Sequence, residues 1–110
     1  MLRLLDEGCV DYLQIDLSIC GGISAGIEFA REARNKGIPL TLHSAASAVL
    51  MLSNLHLAAA LSPSPLVESH MIHRWLAGHL GESDLEVRDG HITPPNRPGL
   101  GLELAPEDLV

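Results

Sequence analysis

Three short apolar runs in this sequence each end on a residue that can take or give a proton: "YLQID" on Asp16, "IPLTLH" on His43 and "LVE" on Glu68. A histidine paired with an aspartate is a suitable general base near neutral pH. A carboxylic acid whose surroundings keep it neutral can donate a hydrogen bond to negative charge as it develops. Together these are groups for moving a proton, provided that the fold brings them to one place. Each also has a plainer reading. Asp16 could cap the turn at Gly21-Gly22, His43 could cap a helix beginning near Ser44, and Glu68 could be a solvated acid in an exposed loop.

The pattern along the chain says how the three would be placed. Residues 2–7 read as the end of a helix, with Gly8 where a helix commonly stops. A strand is expected at about 11–16, then a turn at Gly21-Gly22 and an N-cap at Ser24. Over 25–36, Ile27, Ala30 and Ala33 fall on one helical face, while Glu28, Arg31, Glu32 and Lys36 supply the wet one. Gly37 and Pro39 end that helix. A short apolar strand follows at 38–43. A helix at about 46–61 is apolar nearly all round, as a buried helix would be, and "SPSP" breaks it. The third strand is "LVES", 66–69. Alternation on both sides of Asp89-Gly90 predicts a two-residue hairpin turn. The glycine- and proline-rich "NRPGLGLEL" suits packing over a surface better than forming a core.

Alternating helices and strands with short loops mean βα units and a parallel sheet. In such folds ligands bind where the carboxyl ends of the strands converge. Asp16, His43 and Glu68 all fall at that edge.

The bulk composition narrows the function classes. The 110 residues suffice for one domain; 46% are hydrophobic, with a single Phe, Trp and Tyr, so the core must be aliphatic. A net charge of -7, from 14 acidic against 7 basic residues, argues against nucleic acid or an anionic membrane as partner. The longest apolar window, 45–61, is interrupted by Ser47, Ser53, Asn54 and His56 and falls short of a membrane span. Cys9 and Cys20 form no CxxC and read as free thiols of a reducing compartment. The N-terminus has too short an apolar stretch for a signal peptide. A cytoplasmic location is expected.

Five pieces in order over nearly the whole chain, "QIDLSICGGIS", "GIPLTLHSAAS", "NLHLAAAL", "LVES" and "DGHITPPNRPGLGLEL", resemble the enolase superfamily, in particular its mandelate racemase and muconate lactonizing enzyme-like branch. Asp16 and His43 lie 27 residues apart, which suits one βα unit between adjacent barrel strands. The resemblance implies an α/β fold: the C-terminal part of a TIM-type (β/α) barrel, its sixth, seventh and eighth strands, with a hairpin-like tail. Residues 1–69 would hold three βα units, and 70–110 a terminal helix, the hairpin and the closing tail. It further implies that His43 is the general base or acid at the carbon beside a carboxylate. Asp16 would fix its tautomer, and Glu68, protonated, would donate to the enediolate. The substrate would be a carboxylate or acid sugar and the reaction racemisation or dehydration.

The same resemblance implies Mg2+, held by carboxylates on the third to fifth strands, and a further base on the second, none of them in this chain. A whole barrel takes roughly 250 residues. The chain is therefore expected to be the last third of such a protein, starting inside the fifth barrel helix, and inert or nearly so alone. Three strands with helices on one side would leave a sheet face and two edges bare, so association with another copy or with the missing barrel portion is expected. The alternative is a non-catalytic remnant or assembly module that associates through its exposed sheet.

Other features draw plainer expectations. His70 and His73, with Glu68 or His79, could make a zinc site, although structural zinc sites usually use cysteine. Gly21-Gly22 before a helix could bind phosphate, but the fuller GxGxxG is missing. Cys20 reads as a small buried apolar residue, His56 as a hydrogen-bonded core histidine and His91 as a surface one.

Overall fold

The computed structural model describes residues 2–45, 47–71 and 85–102. Along the chain run α1 (Leu2–Asp6), β1 (Leu13–Ile15), α2 (Leu17–Cys20), α3 (Gly22–Asn35), β2 (Leu40–Leu42), α4 (Ala48–Ala60) and β3 (Leu66–Val67). The strands form one sheet in the order β1-β2-β3, parallel throughout. Parallel neighbours need a crossover connection, and α3 and α4 are those crossovers.

Register decides the two faces. Ile15 lies opposite Leu42, and Leu42 opposite Val67; one residue back, Gln14 lies opposite Thr41, and Thr41 opposite Leu66. Because side chains alternate along a strand, these are adjacent rows on opposite faces. The first row is core: Ile15 and Leu42 are fully buried in one cluster with Leu13, Leu5 of α1, Ala33 of α3 and Leu50, Leu57 and Ala58 of α4, and Val67 packs on it. The second row is not covered by any described helix. Gln14 is exposed, Thr41 half-buried and Leu66 74% exposed.

Where α2, α3 and α4 meet, the chain needs a glycine. A Cβ on Gly26 would sit 2.7 Å from both Leu17 Cδ2 and Leu57 Cδ2. Gly26→Val should therefore destabilise the fold by about 2–3 kcal/mol through overpacking, measured as a lower midpoint in urea or heat. An unchanged midpoint would mean that the two leucines move aside freely.

Several boundaries differ from the sequence expectation, for local reasons. Ser24 is not an N-cap: α3 starts at Gly22, and Gly21, in the left-handed region at φ 109°, ends α2 and precedes α3. Helix α2 was not expected at all. It forms because the Asp16 side chain accepts from the Ser18 amide at its first turn. The cap of α4 is Ser47, whose Oγ accepts from the Leu50 amide, rather than His43 or Ser44. The Asp89-Gly90 turn is present, with both residues at positive φ, but its hairpin amounts to one Arg88–His91 bridge. Leu85, Ile92, Leu100 and Leu102 lie against Ala48, Met51, Leu52 and Leu55, so this segment packs over α4. The half-buried His56 joins that packing through Nε2, 3.3 Å from the Leu100 carbonyl. The expected terminal helix falls mostly at 72–84, and the end of the closing tail at 103–110; both lie outside the described residues. No helix among the described residues is long and apolar enough to cross a membrane.

Candidate active site

The ladder of hydrogen bonds runs one residue past the strands. The His43 amide donates to the Ile15 carbonyl at 2.8 Å, and the Glu68 amide to the Leu42 carbonyl at 2.9 Å. Asp16, His43 and Glu68 directly follow the core-facing row of Ile15, Leu42 and the half-buried Val67. They are thus in phase with Gln14, Thr41 and Leu66, on the face without described helices and at the carboxyl rim of the sheet. Parallel register and a two-residue pleat bring together three residues that are far apart in sequence.

At that rim Asp16 Oδ2 lies 2.7 Å from His43 Nδ1. Its other oxygen accepts from the Ser18 amide at 2.8 Å and from the Ser18 hydroxyl at 2.5 Å. Both oxygens are engaged, and the side chain is only 10% exposed. Burial pushes the Asp16 carboxyl up, but the hydrogen bonds from the Ser18 hydroxyl, the His43 ring and the Ser18 amide, with the charge of His43, together outweigh it. The net result is a carboxyl below its ordinary value of 3.8. A depressed carboxyl stabilises the folded state fully above its unfolded value and loses that contribution as pH falls through the folded one. Native protein should therefore lose more stability than Asp16→Asn between about pH 5 and pH 2, measured by urea denaturation at each pH. Parallel curves for the two proteins would contradict the assignment.

His43 Nε2 faces the other way, 3.7 Å from Glu68 Oε2, with both side chains about two-fifths exposed (38% and 40%). The same Glu68 oxygen accepts from the Ser44 amide at 3.1 Å. The row is graded: a buried aspartate, then an imidazole with one nitrogen held and the other open, then a carboxyl fixed at one oxygen. Chemically it can pull a proton onto Nε2 while Asp16 stabilises the cation formed.

One Asp16 oxygen caps the start of α2 through Ser18 rather than the Gly21-Gly22 turn, and the other meets His43. Sequence reasoning missed Ser18, Ser44 and Asn54. Asn54 Nδ2 donates to the His43 carbonyl at 2.8 Å. The signal for Ser18 was present, because a serine two residues after an aspartate favours a local turn bond. Asn54 was visible only as a polar interruption of an apolar helix.

His73 and His79 lie outside the described residues, and His70 is half-buried. Among the described residues no group of three His, Cys, Asp or Glu could hold a metal ion. With both Asp16 oxygens engaged, the described residues do not fit a Mg2+ site by themselves. Cys20 is free, half-buried and packed against the core, and burial pushes its thiol up. Cys9 and His91 are exposed. A cavity of about 700 Å³ opens near the opposite ends of the strands, lined by Tyr12, Ile38, Pro39, Thr41 and Pro65 among others. It contains none of the three rim residues.

Comparison with known proteins agrees with this architecture. The Enolase C-terminal domain-like family matches residues 1–109. The chain is 36% identical to arabinonate dehydratase of Saccharolobus solfataricus, over 93% of its own length and 27% of that protein. It is 33% identical to D-galactonate dehydratase of Pectobacterium atrosepticum, over 98% of its length and 30% of that protein. The crystal structure of a mandelate racemase/muconate lactonizing enzyme-like protein from Rubrobacter xylanophilus superimposes with a TM-score of 0.81 at 32% identity, covering 96% of this chain and 27% of that one. The chain thus spans less than a third of the relatives it matches. With three parallel strands, their crossover helices and this match over nearly the whole sequence, the chain belongs to the enolase C-terminal domain-like family.

Proposed function

We propose that this chain supplies the acid–base rim of a site that removes a proton next to a carboxylate, on a carboxylate or acid-sugar substrate, as the C-terminal part of a complete barrel. The observation that carries the reading is the 2.7 Å contact between Asp16 and His43 Nδ1, which leaves Nε2 open beside Glu68. His43 Nε2 takes the α-proton, and the electron pair left behind moves into the carboxylate to give an enediolate. Asp16 holds the Nδ1 proton and stabilises the imidazolium. Glu68 donates a hydrogen bond to the substrate oxygen where charge accumulates. In dehydration the pair then expels a β-hydroxyl, which leaves as water with a proton returned from an acid such as the imidazolium. In racemisation a proton returns from the opposite face, for which the described residues supply no donor. The acid-sugar class is favoured because two relatives are an arabinonate and a galactonate dehydratase. A Mg2+ ion, the family's usual electrophile, would be held by other strands and would supply positive charge to stabilise the enediolate.

A second reading, an assembly module without catalysis, draws on the uncovered row Gln14, Thr41 and Leu66. One experiment separates the two. The chain is combined with the N-terminal barrel portion of a dehydratase relative and Mg2+, then offered a panel of aldonates. Formation of a 2-keto-3-deoxy product by the combination and not by the chain alone is the expected result. A folded combination that turns over none of the panel, with the chain alone self-associating in light scattering, favours the module.

A further inference from the structure

One peptide group, between His43 and Ser44, is held at both of its polar ends. Its carbonyl accepts from Asn54 Nδ2 at 2.8 Å, and its N–H donates to Glu68 Oε2 at 3.1 Å. A peptide group is a rigid plane, so whatever fixes the oxygen also aims the hydrogen. A hydrogen bond at the carbonyl moreover polarises the group and makes its N–H a better donor.

Asn54 is an odd choice for stability. It is fully buried in α4, flanked by the equally buried Leu52 and Leu57, and its Oδ1 has no hydrogen-bond partner among the described residues. A buried amide that leaves its acceptor unused is costly, and an apolar residue of the same shape would avoid that penalty. Among the described residues, the one hydrogen bond of the side chain goes to the peptide that follows His43 and whose N–H holds Glu68.

We propose that Asn54 is a positioning residue of the proton-transfer site: through the His43–Ser44 peptide it fixes both the base and the amide that holds Glu68. The role in catalysis rests on reading His43 and Glu68 as the reacting pair; the hold on the peptide does not. Ser44 is itself buried, with its hydroxyl directed at Met51 Sδ, so solvent cannot replace the Asn54 donor easily.

The test uses the full chain labelled with 15N and 13C. In the native protein a scalar coupling should cross the hydrogen bond from Asn54 Nδ2 to the His43 carbonyl carbon, and its absence would overturn the proposal. In Asn54→Leu the Ser44 amide should exchange with solvent about tenfold faster, the equivalent of one hydrogen bond. The amides of Leu55 and Leu57 in α4 should keep their rates. If Ser44 accelerates no more than they do, Asn54 acts on stability alone and the proposal fails. In a complete barrel the same variant should lower kcat with little change in KM, and an unchanged kcat would remove the catalytic role. Should Asn54→Leu not fold, the native coupling decides. Loss of the proton-transfer reading would appear instead as an active His43→Asn barrel, whatever Ser44 does.

Discussion

In a complete barrel carrying this chain, His43→Asn should slow exchange of the substrate α-proton with solvent by about 10²- to 10⁴-fold, the usual worth of a positioned general base. Asparagine keeps a polar side chain at the rim but removes the one group there with an open, basic nitrogen. Asp16 cannot take over, because both of its oxygens are engaged, and Glu68 has the donor's part in the proposed reaction. Since the proposed reaction puts the imidazole at the reacting carbon alone, binding should change little and the loss should fall on kcat. Deuterium uptake at that carbon, followed by NMR, measures the effect directly. Exchange at the native rate in the variant would remove His43 from the reaction.

Asp16→Asn should cost a similar 10²- to 10⁴-fold, by a different route. The carboxylate accepts the Nδ1 proton and balances the positive charge that the ring acquires. Asparagine can keep its oxygen toward Ser18, which preserves the cap of α2, and must then turn its amide toward Nδ1. Two donors cannot face each other, so the ring adopts the tautomer with its proton on Nε2, where no further proton can be taken. The same substitution in the Ser-His-Asp triad costs about 10⁴-fold. Asp16→Ala would also remove the helix cap, typically about 1 kcal/mol. A comparison of the two variants therefore separates catalysis from folding. Equal activity of Asp16→Asn and native barrels would show that the aspartate is only a cap.

How much of this was legible from residues alone follows from what each feature depends on. Asp16 and His43 could be paired because each ends a strand pattern, and strand ends of a parallel sheet share a rim. The βα order likewise follows from the alternation of helical and strand periods. What sequence could not give was phase. Whether Asp16, His43 and Glu68 face the helices or the open side depends on the register that sets Ile15, Leu42 and Val67 in one row. Helix α2 was hidden because a single turn has no period to detect, and its first turn is held by the Asp16–Ser18 bond. Asn54 was hidden for the opposite reason: its helix is so apolar that a polar residue reads as an interruption, and its meaning lies in a carbonyl eleven residues away. Gly21 misled because one left-handed residue serves two helices at once, which moved the start of α3 ahead of Ser24.

The central claim is that Asp16 holds Nδ1 of His43 so that Nε2 stays open, and the 15N signals of that ring test it most directly. They can be read on the chain without substrate, metal or the remaining strands, at about pH 8.5, where a histidine ring is ordinarily neutral. The account predicts a proton on Nδ1, sharply downfield and bonded to Asp16, with Nε2 showing the shift of a bare nitrogen. A proton on Nε2 and a bare Nδ1 would contradict it.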